Sequence, residues 1–271
     1  MREGLGRARS WLGRRLFPDP PVPTLVHVTH AKAGSTWMHD ILRTLFPMRV
    51  TRRGHHVAEA EGGDLARHVF APGWIYPAMF MTRGEFLAHP ELRDVHRFVV
   101  IRDLRDTLVS LYFSLRHSHT QSTPELVRDR ALLTALGREE GLRALLPQLE
   151  DVAELQTSWL RANEVVLRYE DLLGNDVALL SEVLLDRFRL PVTRVRLARV
   201  IAQTRFERVF HRKLGHADPM SHGRQGLPGD WRKHFTPTLG REFEAQFGEV
   251  LRRTGYTTDD AWTREISVDP A

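Results

Sequence analysis

Three short runs carry residues able to hold an anion. In AKAGSTW, residues 31–37, a lysine precedes small residues and two hydroxyls. A helix starting there would offer unpaired N–H groups and roughly half a positive charge, which attract anions. Gly34 lets the backbone come close to a ligand. Lys32 adds a mobile charge, Ser35 and Thr36 add hydroxyl donors, and Trp37 a flat face for a base. The plainer reading is an ordinary strand–helix turn with a capping serine. In RDLRDTLVS, residues 102–110, Arg102 and Ser110 could converge on one phosphate. Alternatively, Arg102 pairs with Asp103 or Asp106 and Ser110 faces solvent. In HGRQGLPGDWRKHFT, residues 222–236, Arg224, Gln225 and Gly226 form a basic tip suited to closing over an anion. The usual fate of such composition is an exposed irregular loop. The nucleotide pattern GxxxxGK[ST] is missing.

Hydrophobic spacing supplies the elements that must position these runs. TLVHVTH, residues 24–30, reads as a strand, and 35–46 as the helix that follows it. RFVVIRD, residues 97–103, has the continuous apolar run of a strand buried on both faces. Helical spacing continues over 107–118, with Asp106 as its expected N-cap. Residues 124–161 are helical, 163–173 form a strand that turns into a helix, and 177–210 are helical with a break near Pro191. The last helix is expected over 239–253, and 51–75 and 211–230 read as loops. Strands separated by helices predict an α/β fold: a single domain with a central parallel sheet flanked by helices. Ligands in such sheets bind beyond the carboxyl ends of the strands. Those ends are Lys32, Arg102 and Arg168-Tyr169-Glu170.

A chain of 271 residues can bury one good core. Zero cysteines exclude disulfides, a thiol nucleophile and cysteine-held metal, and suit a reducing cytoplasm. The net charge is +5, and only Lys32, Lys213 and Lys233 are lysines, so the positive charge is almost wholly arginine. Arginine's planar fork matches phosphate and sulfate oxygens, although so much of it can equally reflect genome base composition. The sequence shows no run of 18 apolar residues. Residues 1–22 alternate basic and apolar side chains, either a loosely ordered extension or an amphipathic helix making weak membrane contact.

Taken in order, the motifs resemble the PAPS-dependent sulfotransferases, which use 3′-phosphoadenosine-5′-phosphosulfate (PAPS) as sulfuryl donor. That family's PKSGTTW stands here as AKAGSTW, and its RNPKDxxVS as RDLRDTLVS. Its YED[LM] is Tyr169-Glu170-Asp171-Leu172, its TSF-like element Thr204-Arg205-Phe206, and its RKGxxGDWxxxFT runs from Arg224 to Thr236. The likeness spans about residues 24–252. It implies a P-loop-like sulfotransferase domain over 23–258, an N-terminal extension over 1–22 and a tail over 259–271. Position by position, it implies that Lys32, Ala33, Gly34, Ser35 and Thr36 grip the 5′-phosphosulfate. Trp37, Thr204 and Phe206 would contact the adenine with Tyr169 nearby, and Arg102, Ser110, Arg224, Gln225 and Gly226 would hold the 3′-phosphate. It implies in-line sulfuryl transfer without a metal, to a small-molecule acceptor (an alcohol, phenol, lipid, sugar or amine), and no nucleic-acid partner. With the composition, it points to a bacterial cytoplasmic enzyme.

The chain departs from the family pattern in places. Many members have a histidine base in a KTHLP-like strand about 22 residues before the motif arginine. The corresponding stretch here, GWIYPAMFMTRGEF at 73–86, has none. His56, His55 and His119 become the candidate bases because imidazole titrates near neutrality, with Tyr76 and Glu59 behind them. Ala31 and Ala33 replace the usual Pro and Ser, and Gln225 replaces a Lys, removing one charge. The family's dimer signature is degraded, which leaves the oligomeric state open. Competing readings are a small-molecule kinase, which would require magnesium; an arginine-rich nucleic-acid binder, which would be strongly salt-dependent; and an inactive relative that keeps the fold.

Overall fold

The structure, a computed structural model, describes residues 22–52, 68–119, 123–213, 215, 216, 218, 220, 221 and 224–266. Four parallel strands form one sheet: β1 (Leu25–Thr29), β2 (Ile75–Met79), β3 (His96–Ile101) and β4 (Val166–Arg168), in the order β2-β1-β3-β4. The helices are α1 (Ser35–Leu45), α2 (Arg83–Ala88), α3 (Leu104–Phe113), α4 (Pro124–Ala135), α5 (Arg138–Ala144), α6 (Glu150–Ser158), α7 (Tyr169–Ser181), α8 (Arg194–Thr204), α9 (Phe206–Phe210) and α10 (Pro237–Arg253). Side chains alternate between the two faces of a strand. Leu25, Phe98 and Val100 therefore meet one core, while Val26, Val28, Val99 and Ile101 meet another that contains Trp159. Helix α1 buries Met38, Ile41, Leu42 and Leu45, the spacing of one helical stripe, against the first core.

A third core joins α3, α5 and α10 with Trp231, Phe235 and Phe243. Trp262 and Ile266 are buried in it. The strand order changes direction between β1 and β3, the place where open α/β sheets bind ligands. The register sets Thr29 beside Val100, and the Thr29 hydroxyl donates to the Val100 carbonyl at 2.8 Å. The segments leaving β1 and β3, with Lys32 and Arg102, thus start side by side.

Two expectations are corrected. Helix α3 begins at Leu104 and is capped by Asp103, whose carboxylate accepts the Arg105 N–H at 2.9 Å. Asp106 lies inside the helix and its carboxylate is bonded elsewhere, so it is not the cap. The second concerns β2, which the sequence hides. Its five buried residues include Pro77, and its pairing with β1 shifts between Val26 and Val28, so no clean alternation shows. As an edge strand it tolerates the proline. Among the described residues no helix is long and apolar enough to cross a membrane.

Candidate functional site

The turn after β1 is built by two left-handed residues, Lys32 at φ 70° and Gly34 at φ 79°, before α1 starts at Ser35. Gly34 is required twice over: its φ favours glycine, and a Cβ there would sit 2.9 Å from the Tyr169 ring. Tyr169, the first residue of α7, also meets Trp37 edge-on at 6.4 Å. The first helical N–H groups and the Ser35 and Thr36 hydroxyls belong to this same turn.

Arg102, just past β3, donates from Nη1 to the Lys32 carbonyl at 2.9 Å and lies 5.0 Å over the Tyr169 ring. Its plainer alternative fails, because it is Arg105 that takes Asp103, at 2.7 Å. Arg224 arrives from the far end of the chain. Its guanidinium lies 4.5 Å over the Phe113 ring and pairs with Asp230. Burial, then the Arg102 charge, then the Arg224 charge lower the Lys32 ammonium from the ordinary 10.5 to about 8. Three cations thus crowd one another around the β1 and β3 ends. Such crowding is unfavourable unless an anion joins them.

The polar atoms fit an anionic nucleotide. Arg102 Nε, Arg224 Nε and Trp37 Nε1 are buried with no protein partner. Buried donors are ordinarily bonded, so these three are matched to acceptors that a ligand would bring. Ser110 stands part-buried on α3, and Gly226 takes φ 74° in the Arg224 loop. Gln225 is buried and accepts from Arg224 Nη1 at 3.3 Å, orienting that arginine in place of a second cation. Ala33 is buried at the turn. Thr204 and Phe206 lie at the end of α8 and the start of α9. The Thr204 hydroxyl bonds back to the Val200 and Ile201 carbonyls, both at 3.1 Å. Phe206 packs on Phe210 at 4.9 Å, and the Arg212 guanidinium lies over its ring. His119 is exposed at the end of a π-turn (Ser114–Ser118) that prolongs α3. His55 and His56, like Glu59, lie outside the described residues.

Several supporting residues have no role legible in the sequence. His30 is buried; its Nε2 accepts the Arg102 N–H at 3.2 Å and bonds Gln156 Nε2 at 2.9 Å, while Nδ1 bonds the Ala31 carbonyl. Burial first, and the Arg102 charge against its bond to the Ala31 carbonyl, lower its pKa to about 4, so it stays neutral beside the cations. Gln156 also donates to the Arg102 carbonyl at 2.7 Å, tying both strand ends together. Glu170 accepts the Asp103 N–H at 3.1 Å and the Tyr256 hydroxyl at 2.8 Å. His30 stands just past β1 and Glu170 in the Tyr169–Leu172 motif, while Gln156 lies inside α6; none of these positions reveals its partner.

Among curated proteins none matches this sequence. Solved structures do match. The chain superposes on mouse sulfotransferase SULT7A1 complexed with PAP (3′-phosphoadenosine-5′-phosphate) with a TM-score of 0.60 and 16% identity, covering 95% of this chain and 92% of that one. It superposes on retinol dehydratase in complex with androsterone and inactive cofactor PAP with a TM-score of 0.53 and 17% identity, covering 90% and 86%. A second retinol dehydratase structure, in a complex with retinol and PAP, gives 0.51 and 16% over the same shares. At such identities these likenesses establish the fold. The model of the sulfotransferase domain matches residues 93–255, more than half of the chain, a stretch that carries Arg102, Ser110, Tyr169 and Arg224, and the chain therefore belongs to the sulfotransferase family.

Proposed function

We propose that this sulfotransferase transfers the sulfuryl group of PAPS to a hydroxyl or amine of a small-molecule acceptor, releasing PAP. The observation that carries the reading is the convergence of Lys32, Arg102 and Arg224 from three distant parts of the chain. Sulfuryl transfer follows the logic of phosphoryl transfer, in which positioning and charge stabilisation supply most of the catalysis. Lys32 and the N–H groups of the turn neutralise charge developing on the bridging oxygen of the donor. Arg102, Ser110 and the Arg224–Gly226 loop hold the 3′-phosphate, and Trp37 and Tyr169 face the adenine.

The acceptor's proton goes to a histidine, which we take from His55, His56 and His119; single substitutions in each, read as kcat at neutral pH, select among them. Retinol and androsterone, bound by structural relatives, are alcohols, which supports an alcohol acceptor here. An arginine-dominated, cysteine-free composition supports placement in a bacterial cytoplasm.

The test is binding of PAP, by calorimetry and thermal shift, against 5′-AMP and ATP without magnesium. A ligand that binds the native state raises its melting temperature. Strong preference for PAP, lost in Arg102→Ala, is expected. Equal binding of PAP and AMP would overturn the reading, and a magnesium requirement would favour a kinase.

A further inference from the structure

Asp106 lies between Arg102 and Ser110 in sequence, yet it faces a different part of the molecule. It is 2% exposed, and both carboxylate oxygens accept backbone N–H groups from more than 100 residues away. Oδ2 accepts Gly229 N–H at 2.6 Å, and Oδ1 accepts Trp231 N–H at 3.1 Å. Gly229, at φ 80°, precedes a 3₁₀ turn over Asp230–Lys233, so Asp106 caps that turn from outside. The residue held between the two bonded amides is Asp230. Its carboxylate grips Arg224 and also bonds His234 Nε2 at 3.1 Å. Burial pushes Asp230 up, but the bonds from His234 and Arg224 prevail and hold it well below the usual carboxylate range, so it stays anionic. Neighbouring contacts fix the same docking: Arg105 is stacked 4.3 Å from the Trp231 ring and 4.7 Å from Trp262.

We propose that Asp106 is a positioning residue for recognition of the nucleotide's 3′-phosphate. It acts through a chain of contacts, from its carboxylate to the Gly229 and Trp231 amides, to Asp230, to the Arg224 guanidinium. A carboxylate suits this task because it offers two acceptors and no donor; an amide would turn an NH₂ against one of the N–H groups. The run 102–110 thus does two jobs: Arg102 and Ser110 face the anion, while Asp106 fastens the loop that closes the site from the other side. The inference rests on the PAPS reading.

The experiment is Asp106→Asn titrated with PAP and, separately, with 5′-AMP, which lacks the 3′-phosphate. PAP affinity is expected to fall ~10-fold, the size of one weakened charge-assisted bond. AMP affinity is expected to change less than about 2-fold. In an Arg224→Ala background, Asp106→Asn should cost nothing further, because residues acting through one group are not additive. Equal loss for both nucleotides, or full additivity with Arg224→Ala, would overturn the proposal. Amide exchange on the wild-type protein guards against a variant that fails to fold. Gly229 and Trp231 should exchange far more slowly than the Gly226 and Leu227 amides, and fast exchange at both would overturn the clamp without any substitution. If the wild type itself shows no preference for PAP over AMP, the donor reading fails first, and this proposal falls with it.

Discussion

The turn at Lys32 and the corner at Arg224, both assigned to the donor in the proposed function, are built by opposite means. The turn is contiguous. Its shape comes from backbone conformation, with Lys32 and Gly34 left-handed and a helix N-terminus at Ser35. The corner is assembled. Arg102, Ser110 and Arg224 come from two segments more than 100 residues apart, and side-chain-to-backbone bonds such as Asp106 to Gly229 set their distance. A contiguous site is vulnerable to changes in local conformation. An assembled site is vulnerable to changes in residues that never touch the ligand.

Substitutions can break this comparison at either end. The largest effect is expected at the turn. Lys32→Ala should lower kcat by roughly 10²–10³, as for a lost oxyanion donor, with PAP affinity changed far less. A loss of affinity with unchanged kcat would move Lys32 from the reacting group to the binding shell. At the corner, Arg102→Ala should weaken PAP by roughly 10- to 100-fold, the worth of a charge-assisted contact. It should leave AMP nearly untouched. Gly34→Ala tests the turn's conformation alone. The left-handed backbone should cost about 1–2 kcal/mol in thermal stability, and the Tyr169 ring would have to move. An unchanged melting temperature would show that the turn does not need glycine.

The same contrast explains what could be read from the sequence. β1, α1 and β3 were legible because burial on both faces of a strand, or on one helical stripe, leaves a periodic trace. The turn was legible because six adjacent residues contain its whole geometry. β2 was not, since Pro77 and a register shift break its alternation. The cap of α3 was misplaced for a related reason. Asp103 and Asp106 are equally good caps by type, and only the distant Gly229 and Trp231 amides decide which one is engaged elsewhere. The partners of His30, Gln156 and Glu170 carry no local signal, because each acts on a residue remote in sequence, such as Gln156 on the Arg102 carbonyl.

Titration offers the finest test, because the Lys32 ammonium is shifted into an accessible range. Lys32 is held at about 8 by burial and by the Arg102 and Arg224 charges. A bound anion restores the ammonium toward the ordinary 10.5, so binding between those values takes up protons. PAP affinity should therefore fall as pH rises through about 8, by at most about one log unit per pH unit. The free protein should show the opposite trend. Its folded state holds fewer protons at Lys32 than its unfolded state does over that window, so its stability rises with pH. His30, lowered to about 4, does not titrate there, and burial raises Tyr169 above its usual range. Calorimetry at pH 9 in two buffers of different ionisation enthalpy should show a sizeable fraction of a proton taken up per PAP bound. Lys32→Arg should abolish that uptake while keeping the charge. Zero uptake in the wild type would mean that Lys32 keeps its proton without the donor, and that the crowding of the three cations at this corner is relieved by some other group.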